Sequence, residues 1–136
     1  MNINYVYKLY DYFPIISFCG LIFMRKYHEL LVKAIIVYIL SFGLKALFSL
    51  IINNKNIILR PKNKKAKCGN SNIGFPSSHS MLSMFYILYF YRKKNLLSLF
   101  ICTIPISRLI TNCHNELQVL AGIFFGTLSY VALKPK

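Results

Sequence analysis

Five apolar segments, separated by polar or basic stretches, dominate this chain of 136 residues. A helix needs about 20 residues to cross the hydrocarbon core of a bilayer. Only the second segment reaches that length comfortably, and the others, with about 15–17 core residues, suit a thin bilayer. The segments cover residues 9–24, 30–52, 77–91, 96–111 and 117–133. The pattern predicts an all-α fold, a polytopic membrane bundle of about five transmembrane helices.

Composition and charge agree with a membrane environment. Hydrophobic residues make up 56% of the chain, whereas soluble domains average roughly 45–50% apolar residues. The net charge is +14, and most basic residues fall between the apolar segments, as in juxtamembrane loops. Nucleic-acid binding by the basic stretch 53–67 is therefore the least favoured function, and no nucleic-acid partner is expected.

Two further classes find little support in the sequence. The first apolar run continues into Arg25 and Lys26 without a small-residue cleavage site, so a cleavable signal peptide is not expected. None of the four cysteines forms a Cys-x-x-Cys pair, which leaves a zinc site or a redox motif unsupported. Cys19 and Cys102 lie in apolar runs, where a free thiol is an ordinary small apolar side chain.

Counting the passes places several polar residues at one face of the bundle. The third segment starts at the side that holds residues 53–75, and the fourth segment ends there, where the fifth begins. His79, His114, Arg60 and Arg108 fall on this side, whereas His28 falls on the other. An ionisable group at membrane depth costs several kcal/mol without a partner, so these residues are candidates for a functional site.

Each element of this face also has an ordinary explanation. Ser77 and Ser78 open a helix whose N-terminal amides favour phosphate, but a capped helix start with an incidental His79 fits equally well. Arg108 presents a fork of donors that matches phosphate oxygens, yet it could instead extend its side chain to the interface. Arg60 lies in a lysine-rich run, which by itself is more typical of a solvated loop or a lipid-headgroup contact.

Taken together, these residues resemble the motifs of the type 2 phosphatidic acid phosphatase superfamily. The stretch Pro76-Ser77-Ser78-His79 is similar to its Pro-Ser-Gly-His motif, with Ser78 replacing Gly. Ser107-Arg108, followed by five residues and then His114, matches the spacing of its third motif. Further similar positions are Arg60-Pro61 at the end of the first motif, and Val119, Gly122 and Gly126 in the last helix.

The resemblance implies a single domain over residues 1–136 that hydrolyses a lipid phosphate or a polyprenyl pyrophosphate without a metal or another cofactor. His114 would attack phosphorus and form a phosphohistidine, and His79 would protonate the leaving oxygen. The phosphoryl oxygens would be bound by a lysine, two arginines and the start of the third helix, which are Lys45 or Lys55, Arg60, Arg108, Ser77 and Ser78.

Two further positions depart from the family pattern. The lysine expected before Arg60 is replaced by Asn53, and Lys55 and Lys45 are both offset from that position. The aspartate expected four residues after His114 is Gln118, a neutral amide that orients a histidine but supplies no charge. These departures favour the alternative of a catalytically impaired relative that binds anionic lipid. A separate alternative is a small basic membrane scaffold in which the motifs are accidental.

The apolar segments predict a multi-pass integral membrane protein. Basic residues are about equally frequent on the two faces, so the positive-inside rule does not decide the orientation. Several cations on the site face are expected to bind substrate and so do not count in the positive-inside rule. The site face is therefore expected to lie in the lumen or outside the cell. The short segments point to a thin bilayer such as that of the endoplasmic reticulum.

Overall fold

The computed structural model describes residues 10–62, 68 and 72–134. Within these residues the secondary structure is helical, apart from one isolated antiparallel bridge between Leu59 and Ile73. In chain order the elements are α1 (Phe13–Phe23), a 3₁₀ turn (Arg25–Tyr27), α2 (His28–Ile51), α3 (Lys55–Ile58), α4 (Ser78–Arg92), α5 (Leu97–Ile101), α6 (Thr103–Ile110) and α7 (Glu116–Ala132).

The prediction of an all-α chain is confirmed, and each apolar segment contains a helix. The fourth segment is divided at Cys102 into α5 and α6. Among the described residues one helical stretch, Arg25–Ile51, is long and apolar enough to cross a membrane, with 27 residues and a mean hydropathy of 2.2. The bundle of five membrane spans therefore stays a prediction.

Side-chain caps fix the starts of α4 and α7. The Ser77 hydroxyl accepts a hydrogen bond from the amide of Ser80, which satisfies a free N–H at the start of α4. At α7 the Asn115 side chain accepts from the Gln118 amide, and the Gln118 side chain accepts in return from the Asn115 amide. The amide of Ser77 also donates to the carbonyl of Gln118 at 3.0 Å, so the starts of the two helices lie side by side at one end of the bundle.

Helix α4 lies at the centre of the bundle and packs against α7, α2, α5, α6 and α1. Its contact with α7 is close because Gly122 and Gly126, four residues apart, lack side chains. A Cβ atom on Gly122 would lie 2.5 Å from the carbonyl oxygen of Ser77, and one on Gly126 would overlap the carbonyl of Met81. Small residues at this spacing allow two helix backbones to touch, which here fixes α7 against the start of α4.

A disulfide joins Cys68 to Cys113 and ties the polar stretch after α3 to the turn between α6 and α7. Both cysteines are buried, whereas the unpaired Cys19 and Cys102 are exposed. Nothing in the spacing of the cysteines indicated this pair, because its members are 45 residues apart. The bridge constrains the residue that directly precedes His114.

Candidate active site

The turn between α6 and α7 brings His114 next to Arg108. Asn112 takes a left-handed backbone conformation with φ of 52°, which asparagine tolerates better than most residues. The amides of Cys113 and His114 then both donate to the carbonyl of Arg108, at 3.0 and 3.2 Å. The chain thus folds back on the end of α6, and His114 is left only 3% exposed.

The side chain of Gln118 determines which nitrogen of His114 carries the proton. Its Nε2 lies 2.8 Å from the carbonyl oxygens of both Ile57 and Leu59, so this atom must be the amide donor. Its Oε1 therefore faces the Nδ1 atom of His114 at 3.1 Å and accepts a hydrogen bond from it. Nδ1 holds the proton, and the lone pair of the imidazole lies on Nε2.

The surroundings of His114 favour its neutral form. Burial lowers the pKa of His114 well below its ordinary value, and the charges of Arg60 and Lys45 lower it further. The hydrogen bond to Gln118 opposes this shift but does not outweigh it. At neutral pH the imidazole thus carries an unprotonated nitrogen suited to nucleophilic attack.

Arg108 is fully enclosed, with 1% of its surface exposed. Its Nη1 donates to the Oδ1 of Asp11 at 2.6 Å, and its Nε lies 3.4 Å from the hydroxyl of Ser107. The ion pair joins the residues that precede α1 to the end of α6. The carboxylate thus holds a buried guanidinium in a fixed position at this end of the bundle.

His79 lies on the first turn of α4 and is half-buried. Its Nε2 donates to the carbonyl oxygen of Asp11 at 3.1 Å. The charges of Arg108, Lys45 and Arg60 all act on its imidazole, and His79 in turn acts on His114. The two histidines thus lie at the same end of the bundle, as the counting of passes indicated.

The structure distinguishes between the two candidate lysines. Lys45 is buried on α2, and its charge acts on both histidines. Lys55 is exposed at the start of α3. The sequence did not decide between the two lysines, because the burial of Lys45 depends on which face of α2 packs against the bundle.

Two polar atoms at this end have no hydrogen-bond partner among the described residues, the Nε of Arg60 and the hydroxyl of Ser78. Buried polar atoms are nearly always satisfied, so two such atoms beside the histidines fit a site for a polar ligand. Burial and the charge of Arg108 lower the pKa of Arg60. The amide of Ser77, in contrast, already donates to the Gln118 carbonyl.

Two features of the site were missed by reasoning from the sequence. Asp11 lies 97 residues from Arg108, outside every motif, so only its rarity as an acid could have drawn attention to it. The role of Gln118 in tying the chain after α2 to α7 depends on two backbone carbonyls, which carry no sequence signal.

The comparisons with known proteins agree with the motifs. The chain belongs to the PAP2 superfamily, that of the type 2 phosphatidic acid phosphatases, because the family model matches residues 26–135. Members of this family are phosphatases that act on phosphate esters. No curated protein and no solved structure matches the chain significantly.

Proposed function

We propose that the chain, as a single domain over residues 1–136, is a membrane-embedded phosphatase that hydrolyses a lipid phosphate through a phosphohistidine on His114. One observation carries this proposal: the Gln118 amide leaves the lone pair of His114 on Nε2, at an end of the bundle that also holds buried cations. A neutral imidazole surrounded by positive charge is suited to attack an anionic phosphoryl group.

In the first step Nε2 of His114 attacks phosphorus, and the bond between phosphorus and the ester oxygen breaks. His79, as an imidazolium stabilised by the bound dianion, gives its proton to the leaving oxygen. In the second step water attacks the phosphohistidine and transfers a proton to His79. The bond between phosphorus and nitrogen breaks, inorganic phosphate leaves, and both histidines regain their starting states.

The positive side chains provide most of the stabilisation of the transferred group. Arg108, Arg60 and Lys45 bind the phosphoryl oxygens, on which negative charge is redistributed during transfer. The free hydroxyl of Ser78 adds a donor at the start of α4, where the helix dipole also favours an anion. In this proposal Lys55 is solvated and takes no part.

A lipid substrate is supported by an apolar cavity beside α4, the helix that carries His79. A cavity of about 380 Å³ lies between α1, α4 and α5, and its lining includes Phe13, Tyr86 and Phe90. Tyr86 and Phe90 follow His79 by seven and eleven residues, so all three lie on one face of α4. A hydrocarbon tail in this cavity would extend from the phosphate site along α4.

Membrane embedding, in several passes through a thin bilayer, is supported by large apolar side chains on the outside of the bundle. Phe23 is 87% exposed, Leu50 is 81% exposed and Phe100 is 74% exposed. Scattered apolar residues are normal on soluble proteins, but exposed apolar side chains here occur along α1, α2, α5 and α7. An apolar solvent around these helices explains them.

The proposal is tested by an assay of phosphate release from phosphatidic acid by the purified full chain in mixed detergent micelles. We expect His114→Ala to lower the rate by about 10³-fold or more, because the nucleophile is lost. His28→Ala is the matched control, since His28 is exposed at the opposite end, and its rate should stay within about twofold. Acid-labile phosphate on the wild-type protein, absent from His114→Ala, would identify the intermediate.

Phosphate release by the His114→Ala variant at the wild-type rate would eliminate the proposed mechanism. A second candidate, an impaired relative that only binds anionic lipid, is favoured by Gln118, whose neutral amide supplies no charge to stabilise an imidazolium. It predicts a stable complex with phosphatidic acid and no phosphate release from the wild-type protein.

A further inference from the structure

Asp11 contacts two residues of the candidate site from outside the part of the chain that the family model matches, residues 26–135. Its carboxylate binds Arg108 at 2.6 Å, and its backbone carbonyl accepts from His79 at 3.1 Å. Its charge also acts on Arg60. One residue thus brings a negative charge to the place where a phosphate group would bind.

The scarcity of acidic residues makes this placement informative. The chain has three acids in all, Asp11, Glu29 and Glu116. Glu29 pairs with Lys33 on α2, close to its N-terminal end, and Glu116 is exposed on the first turn of α7. Asp11 is therefore the acid that pairs with a buried cation of the candidate site, Arg108.

The charges at the site match one class of phosphate ester. Before an anion binds, with both imidazoles neutral, Lys45, Arg60 and Arg108 supply three positive charges and Asp11 removes one. A phosphate monoester carries a charge of about −1.5 to −2 at neutral pH, close to the surplus that remains. A diphosphate ester carries more negative charge and would be repelled more strongly by the Asp11 carboxylate.

We propose that Asp11 is a specificity-determining residue, whose carboxylate on Arg108 makes the site prefer a phosphate monoester to a diphosphate ester. The proposal rests on the function proposed above and selects between the two kinds of lipid substrate that the motifs allow. It requires that repulsion by Asp11 increases with the charge of the ligand. Removing the carboxylate should thus strengthen the binding of both anions, and that of the more highly charged anion by the larger factor.

The test measures the binding of inorganic phosphate and of inorganic pyrophosphate to the full chain in detergent by titration calorimetry. Asp11→Asn keeps the size and the hydrogen-bonding oxygen of the side chain but removes its charge. We expect this variant to shift the ratio of the two dissociation constants towards pyrophosphate by about tenfold, with phosphate itself bound more tightly. Glu29→Gln removes the same charge at the opposite end and should leave the ratio unchanged.

Asp11→Glu keeps the charge and provides a second measurement, in which the ratio should stay within about twofold of the wild type. Weaker binding of both anions to Asp11→Asn would overturn the proposal and make Asp11 a residue that positions Arg108. An unchanged ratio would overturn it too, while phosphate binding by the wild type would leave the proposed function intact. If the wild type binds neither anion, the proposed function and this inference both fail.

Discussion

The two ends of the bundle carry similar residue types in different surroundings. At one end His28 is exposed, and so are the cations of the 3₁₀ turn, the α4–α5 turn and the C-terminal end of α7, namely Arg25, Lys26, Arg92, Lys93, Lys94 and Lys134. At the other end Arg108, Lys45 and His114 are buried. A solvated cation interacts weakly with its neighbours, whereas buried charges interact strongly. Burial, rather than residue type, thus distinguishes the end with the candidate site from the end with exposed cations.

Replacing one arginine at each end tests this comparison with the largest expected effect. We expect Arg108→Gln to lower phosphate release by about 10³-fold, because an enclosed guanidinium that binds the transferred group is lost. Arg92→Gln removes the same charge from an exposed position at the end of α4 and should change the rate less than about twofold. Equal effects of the two substitutions on the rate of release would contradict the assignment of the site to one end.

Removing the disulfide should destabilise the folded chain and disturb the turn before His114. A bridge between residues 45 apart stabilises the folded chain by at most about 4 kcal/mol in the loop-entropy description. We expect the double variant Cys68→Ser, Cys113→Ser to unfold at a lower temperature in detergent and to lose activity, because the turn before His114 is released. The exposed Cys19 and Cys102 give the control, since Cys19→Ser, Cys102→Ser should leave both properties nearly unchanged.

The smallest expected effect concerns pH. Neutral His114 is the active form, so on the acid side of the profile kcat/KM rises with pH through the pKa of His114, which lies below 6.5. Lys45→Met removes a charge that lowers this pKa, and the acid limb should therefore move to higher pH by up to about one unit. Lys33→Met, on the same helix but paired with Glu29, should leave the limb in place. A limb that moves to lower pH in Lys45→Met would contradict the electrostatic description of the site.

Much of the fold could be predicted from the sequence because hydrophobic runs and basic turns are local signals. The 30–52 segment became α2, His28–Ile51, and the 117–133 segment became α7, Glu116–Ala132. The approach of Gly122 and Gly126 to α4 also agrees with their spacing on one helix face. The division of the fourth segment at Cys102 was not predicted, since no strong helix breaker marks that position.

The candidate site was predictable only as far as its residues lie in spaced motifs. His79, Arg108 and His114 were selected in this way, and the structure brings them to one end of the bundle. The choice of Lys45 over Lys55 depends on which face α2 turns inward. The contact of Asp11 depends on how α1 lies across α4. Such relations between distant segments arise from packing, and no single segment of the sequence encodes them.

The bridge between Cys68 and Cys113 has a consequence for the sidedness of the protein. Disulfides persist in oxidising spaces and are rare where glutathione and thioredoxin keep thiols reduced. A bridge next to His114 thus predicts that the candidate active site faces away from the cytosol. Under the proposed function, a lipid phosphate made on the cytosolic leaflet would have to cross the bilayer before it is hydrolysed, so translocation of the headgroup would precede dephosphorylation.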